Sequence, residues 1–368
     1  MRFFVSSHSP SKADNSIHTR LAQLTKKLCS ISSVTGNEEE ISEWLEQWFS
    51  KQTAYEMARV GKSFALRSPS RGRPILALVG HTDTVPPHPG DPPAHIHEGQ
   101  VIGLGSSDMK GGLAIMMALM EDIDLDECPY DLVFVFYDAE EGPFTESGLG
   151  PLLAEVDWLS EIDLAFCLEP SDNVVQVGCV GTLHAKVTFE GQSCHSARPW
   201  QGENAIHKAG SFLVDLGNRA PVEVDVAGYR FREVMSATLA DGGRARNVIP
   251  ERFVLNVNYR FAPGKSLEQA QSELIALVDS RAEVRFTDLS PSGRVVADNV
   301  LFQQFLETTE VEVTAKQAWT DVARLGECGI DAVNFGPGLS AQAHQANEYA
   351  EIHLLAESYD LFHKFLIA

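Results

Sequence analysis

At 368 residues, 44% hydrophobic and 22% charged, the chain is too long for one comfortable core and ordinary in composition for a globular protein, so two domains are expected. A net charge of −22 argues against nonspecific binding to nucleic acid or to an anionic membrane, both of which need basic patches; a small anionic substrate met by a few local arginines remains compatible. No apolar run approaches the roughly 20 residues of a membrane span. The segment Met1 to Asn15 lacks the apolar core of a signal peptide and reads as a disordered extension, with the start proper nearer Ile17 and a cytoplasmic location expected.

From Ile17 to Phe49 apolar residues recur at helical spacing: Ile17, Leu21, Leu24 and Leu28, then Ile41, Trp44, Leu45 and Trp48. The turn Ser32-Ser33-Val34-Thr35-Gly36-Asn37 separates two helices, with Asn37 or Thr35 as the expected cap before Glu38-Glu39-Glu40. Ile75 to Val79 is an uninterrupted apolar run, as in a strand buried on both faces of a parallel sheet. It ends in Gly80-His81-Thr82-Asp83. If the strand geometry persists, His81 and Asp83 point the same way, one as a metal ligand and the other orienting it.

A rigid proline-rich loop, Pro86 to Pro93, comes next. His88, His95 and His97 lie in or just after it; a His95/His97 ligand pair is one reading, solvent-exposed loop histidines the better one. Gly103-Leu104-Gly105 lacks the third glycine and preceding strand of a dinucleotide fingerprint, which weakens an oxidoreductase reading. Asp108 precedes an apolar helix, Leu113 to Met120, and is either its N-cap or a rigid metal bridge. Two further buried-type strands are expected: Asp131 to Tyr137, ending in Asp138-Ala139-Glu140-Glu141-Gly142, and Leu164 to Leu168, ending in Glu169-Pro170. Three such strands thus each terminate in metal-competent side chains, and ligands gather outside the carboxyl ends of strands in open α/β sheets. Taken alone, Glu140-Glu141 would be a solvated acidic turn.

The pattern changes near Gly178. Strands at Leu183 to Phe189, Val234 to Leu239, the cleanly alternating Phe253 to Phe261, and Ala282 to Phe286 interleave with helices at Ala205 to Leu216 and Leu267 to Val278. This is the β-α-β-β-α-β order of a ferredoxin-like α+β domain. Ser290-Pro291-Ser292-Gly293 marks its end. The α/β character then returns, with Thr320 capping a helix to Leu325, a strand Ala332 to Phe335, a loop through His344 and a closing helix from Glu351 to Leu366. The expected architecture is a mixed, mostly parallel catalytic domain (1–178 and 293–368) with 179–292 inserted.

Six scattered cysteines without a Cys-x-x-Cys pair oppose a disulfide framework or thiolate zinc site. Cys194 beside His195 is adjacency, not a dyad. The candidate ligands His81, Asp108, Glu141, Glu169 and His344 are a mixed His/carboxylate set that suits Zn²⁺. Two metals sharing a bridging carboxylate would activate a water and polarise an amide carbonyl, with a neighbouring glutamate as general base.

Gly80-His-Thr-Asp83, Ser107-Asp-Met-Lys-Gly-Gly112, Asp138-Ala-Glu-Glu141, Glu169-Pro170 and His344 together resemble the dinuclear zinc metallopeptidase and deacylase family, which includes aminoacylase, acetylornithine deacetylase and succinyl-diaminopimelate desuccinylase. The likeness runs from about Ile17 to Leu366. It implies that Asp108 bridges two Zn²⁺ ions (Co²⁺ as an alternative), that His81 and Glu169 complete one site, and that Glu141 and His344 complete the other. Glu140 would be the base and Asp83 the orienting partner of His81. The inserted domain would be a lid and homodimerisation domain, its His195 reaching the partner's site to stabilise the oxyanion. Leu104 departs from the arginine usual in Gly-Arg-Gly.

The stretches Gly202 to His207, Arg246 to Pro250, Asn258 to Pro263, Ala318 to Arg324 and Asn334 to Gly338 resemble the desuccinylase branch most. That branch implies hydrolysis of an anionic N-acyl amino acid, N-succinyl-L,L-2,6-diaminopimelate. Arg198, Arg260 and Asn247 would then bind the substrate, the arginines because guanidinium pairs bidentately with carboxylate; structural salt bridging is the alternative. Another deacylase such as acetylornithine deacetylase, a dipeptidase, or a noncatalytic binding relative are the competing readings.

Overall fold

A computed structural model describes residues 14–368, with side chains from Ile17. The expected N-terminal extension lies, but for its last two residues, outside the described residues; the first helix, Asp14–Cys29, begins slightly earlier than the apolar spacing suggests. The chain divides into two compact units. One comprises 1–176, 298–313 and 328–368, the other 177–297 and 314–327. Among the described residues no helix is long and apolar enough to cross a membrane.

The first unit is built on a mixed sheet whose strands run, in order, Glu56–Val60, Ser63–Arg67, Asp131–Tyr137, Ile75–His81, Leu164–Cys167 and Ala332–Asn334. The central pairings are parallel and the two outer strands at the first edge are antiparallel. Every residue of Asp131–Tyr137 and Leu164–Cys167 is buried, as continuous apolar runs require when helices cover both faces. The helix Gly111–Asp122 is buried from Gly111 through Met120. It approaches the sheet so closely that a Cβ on Gly80 would stand 2.6 Å from Leu113 Cδ2, so the break before His81 is a packing requirement. The closing helix Ile352–Leu366 brings Phe362 and Phe365 against Phe166, Phe305 and Phe335. This aromatic cluster fixes the strand that leads into Glu169.

In the second unit the sheet order is Val222–Val226, Tyr229–Gly242, Arg252–Phe261, Gly181–Glu190 and Glu283–Ser290, all antiparallel. Apart from Val222–Val226, which sequence periodicity missed, the strands follow the 4-1-3-2 order of a split β-α-β arrangement. Phe253, Leu255, Val257, Tyr259 and Phe261 all point into a core shared with Phe212, Leu216 and Leu274 of the helices. The expected boundary at 292/293 differs from the observed division, since Gly293 and 314–327 group with the second unit. Gly293 pairs with Cys179, Trp319 Nε1 donates to Pro291 O at 3.0 Å, and Gln317 bonds the main chain of Arg230 and Arg232.

Candidate metal centre

His81 ends its strand with a fully buried side chain. Its Nδ1 is turned to Asp83, 3.1 Å from the main-chain oxygen and 3.4 Å from Oδ1, which leaves Nε2 aimed at Asp108 Oδ1 at 3.1 Å. The other oxygen of Asp108, Oδ2, lies 3.7 Å from His344 Nε2, and His344 Nε2 is 2.9 Å from Glu141 Oε1. One carboxylate therefore presents its two oxygens to two different imidazoles, contributed by residues 81 and 344.

Among the described residues three overlapping groups bring their ligand atoms within 4.8 Å of one another: His81, Asp108 and Glu169; Asp108, Glu141 and His344; and His81, Glu140 and Glu141. The first two share Asp108. Hard oxygen and borderline imidazole donors in sets of three, joined by one bidentate carboxylate, fit a pair of divalent cations. Glu140 falls in the third set, with one member of each of the other two, His81 and Glu141.

The electrostatics agree with that fit. Burial opposes a charge on His81, yet its hydrogen bonds to Asp108 and Asp83 and the nearby Glu140 charge raise its pKa well above the usual imidazole value. His344 is pushed up to about 9, first by its hydrogen bond to Glu141, against partial burial, and then by the charges of Glu141, Asp108 and Glu348. A pocket that draws protons onto its histidines this strongly is one in which positive charge is favoured.

Asp83 does more than orient His81. Its Oδ1 accepts from Glu140 N at 3.0 Å, and its Oδ2 accepts from Glu141 N at 3.1 Å and from Thr35 Oγ1 at 2.9 Å. One buried carboxylate thus sets both the imidazole and the turn that aims the two glutamates. Burial works against its ionised form, but the contacts with His81, the Glu140 N–H and Thr35 hold its pKa below the usual carboxylate range.

Some expectations need correction. Neither Thr35 nor Asn37 caps the second helix: Glu39–Phe49 starts after Glu38 with no side-chain cap bond, because Thr35 is committed to Asp83 and to Thr84 O. Asp108 is not a helix N-cap. The regular helix begins at Gly111 with Lys110, not Asp108, in the cap position and no side-chain cap bond. Lys110 is itself buried; its Nζ donates to Leu28 O and Ile31 O, and burial lowers its pKa. His88 is exposed, as expected, and its Nε2 lies 3.0 Å from His344 O; Asp91 of the same proline-rich loop accepts from Asn347 N at 2.9 Å. His95 and His97 lie in a short strand, His95–His97, rather than a loop. Thr35, His88, Asp91 and Glu348 carry no local signal that would mark them as site residues; only tertiary contact distinguishes them from ordinary loop residues.

The remaining candidates belong to the second unit, whereas the acidic cluster belongs wholly to the first. His195, Arg198 and Asn247 are exposed and lie close together: Arg198 N donates to His195 O at 2.8 Å and Ser196 N to Asn247 O at 3.0 Å. The strand Cys194–His195 pairs with Val248–Ile249, and His195 Nδ1 accepts from Ala197 N at 3.0 Å. Arg260 is half-buried on the polar face of the sheet, its Nε donating to Asn258 Oδ1 at 3.1 Å.

A family model for peptidase family M20/M25/M40 matches residues 77–368. The chain belongs to that family. It is 35% identical over 347 residues to a Mycobacterium tuberculosis protein named for succinyl-diaminopimelate desuccinylase (DapE), covering 94% of this chain and 97% of that one. It is 30% identical over 352 residues to a succinyl-diaminopimelate desuccinylase of Corynebacterium glutamicum, covering 93% and 95%. The crystal structure of aminopeptidase PepT from Bacillus cereus superposes with a TM-score of 0.79 at 17% identity, over 95% of this chain and 98% of that one. The M20 protein described here is thus a metal-dependent hydrolase by family, with a mixed, mostly parallel sheet as in its structural neighbours.

Proposed function

We propose that this M20 protein is a succinyl-diaminopimelate desuccinylase, hydrolysing N-succinyl-L,L-2,6-diaminopimelate to succinate and L,L-diaminopimelate on the route to lysine and peptidoglycan precursors. The reaction type is carried by the observation that Asp108 offers one oxygen to each of two imidazoles. The acyl group is supported by the names of relatives at 30–35% identity over nearly the whole chain.

In this reading His81, Asp108 and Glu169 would hold one cation and Glu141, His344 and Asp108 a second, Zn²⁺ or Co²⁺, with Asp108 common to both sets. Such a pair would supply Lewis acidity at the scissile carbonyl and acidify the attacking water. Glu140 takes the proton from that water and passes it to the leaving amine nitrogen, so one carboxylate serves both halves of the reaction. Asp83 keeps His81 Nε2 and the Glu140 main chain in register. His195 stabilises the developing oxyanion from the second subunit of a homodimer. Arg198, Asn247 and Arg260 hold the substrate's carboxylates and polar end.

The second unit (179–292 as read from the sequence) then serves as lid and dimerisation domain. Its edge supports this: beyond the short pairing with Val222–Val226, the strand Tyr229–Gly242 bonds on one side only from Val234 onward among the described residues. Val234 and Leu239 are exposed along that strand, a strand edge of the kind a partner covers.

The deciding measurement is succinate release from N-succinyl-L,L-2,6-diaminopimelate beside acetate release from N-acetylornithine and hydrolysis of dipeptides. Succinate release at least a hundredfold faster per kcat/KM supports the proposal. A preference for acetylornithine or dipeptide overturns the substrate while leaving the hydrolase class intact.

A further inference from the structure

A buried carboxylate next to the candidate metal centre has no task in the proposed reaction. Glu348, only 3% exposed, lies four residues after His344 and reaches across to the segment that carries Asp108. Its Oε2 accepts from Gly105 N at 2.7 Å, and its Oε1 accepts from Ser107 N at 2.8 Å and Asp108 N at 2.9 Å. The neighbouring main chain strengthens the junction: Gly103 N donates to Glu348 O at 2.8 Å, and Ser107 Oγ to Tyr349 O at 2.7 Å.

Converging backbone N–H groups form a nest for an anion, and here the chain's own side chain fills it. Burying a carboxylate is costly unless its oxygens are bonded, so this arrangement persists because the loop supplies three donors. The donors belong to a stretch that no regular ladder holds in place. Asp108 and Met109 both leave helical φ/ψ, and Gly105, at φ +80°, turns the chain in a conformation that suits glycine. The N–H of Asp108 itself is one of the three. The loop at the other end is equally irregular, with His344 at φ +60° and Asn347 at φ +57°.

We propose that Glu348 is a positioning residue that locks the Asp108 main chain to the His344 segment, so that both oxygens of Asp108 meet their separate imidazoles at once. This rests on the metal-centre reading above. A glutamine here keeps the size but has one acceptor oxygen, so its NH₂ group must face at least one backbone N–H, setting donor against donor in a buried site. Partners of this kind behind metal ligands typically carry on the order of 10–100-fold in metal affinity or activity.

The test compares the full-length protein with Glu348→Gln and Glu348→Asp. Cation-free protein is titrated calorimetrically with Co²⁺, the visible Co²⁺ absorption is recorded, and kcat and KM are measured separately, with circular dichroism as the folding control. Glu348→Gln should bind Co²⁺ on the order of 10–100-fold more weakly, with altered absorption and a loss in kcat larger than the change in KM. Glu348→Asp, which retains the charge but retracts it, should be intermediate. Two equivalents bound by a folded Glu348→Gln protein with unchanged affinity and spectrum would overturn the proposal while the metal centre stood. Should the glutamine variant fail to fold, the aspartate variant decides: weakened Co²⁺ binding supports the proposal and wild-type behaviour overturns it. An unmodified protein that binds no Co²⁺ would bring down the metal centre, and this proposal with it.

Discussion

The acidic cluster of the first unit and the His195 ribbon of the second both read, in sequence, as parts of one site, and they are built in opposite ways. His81, Asp108 and Glu169 are buried, and His81 and Asp108 are tied into a web of bonds reaching Thr35, Glu140, Glu141 and Glu348. His195, Arg198 and Asn247 are exposed, and the bonds reported for their loops are mostly main-chain contacts, within the loop or across the short ladder of Cys194–His195 with Val248–Ile249. A centre that must hold like-charged carboxylates together needs rigidity on every side. A group that meets the substrate only once it is bound needs freedom to approach. The contrast teaches that in this molecule charge density and mechanical support go together.

Removing the proposed proton carrier is the hardest strike at the rigid side. Glu140→Gln should lower kcat by roughly 10²–10⁴-fold while leaving two equivalents of Co²⁺ bound, because Asp108, His81, Glu141, Glu169 and His344 are untouched. Parallel kinetics and Co²⁺ titration check this, and near-normal turnover would remove Glu140 as the base.

On the exposed side, His195→Ala should cost on the order of 10²–10³-fold in kcat with Co²⁺ affinity unchanged, the opposite of what a ligand mutation does. Mixed with Glu140→Gln protomers, it should recover part of the activity, since a heterodimer would carry one site with both groups intact. No recovery after verified subunit exchange would place His195 outside the partner's reaction.

The smallest effect is expected where the rigid cluster meets solvent. Asp91→Ala removes an acceptor for Asn347 N and His88 N. An exposed hydrogen bond is worth about 1 kcal/mol, so binding of the second Co²⁺ equivalent should weaken by roughly fivefold, with kcat nearly unchanged. A loss as large as that of a ligand mutation would show that the proline-rich loop is part of the centre and not only its support.

Much of this molecule is legible in its residue order. The continuous apolar runs that end at His81, Tyr137 and Cys167 announce parallel strands buried on both faces, and the alternation from Phe253 to Phe261 announces a sheet with one face in a core. Their carboxyl ends direct attention to His81, Glu140, Glu141 and Glu169, because local periodicity marks where a strand stops and which side chains stand just past its end. The strand Val222–Val226 escapes notice because its burial is shallow and its support is a hairpin partner. Thr35 reads as a cap because a threonine before an acidic helix start is a cap as far as neighbouring residues can say.

Residue types and strand ends thus come from the sequence itself, being properties of short windows of chain. Which oxygen of Asp108 faces which imidazole, that Asp83 also grips the glutamate turn, and that Glu348 fills a nest some 240 residues away are decided by tertiary structure alone. Hydrogen bonds and charge pairing depend on separations of a few ångströms in space, and distance along the chain carries no record of them until the sheet has formed.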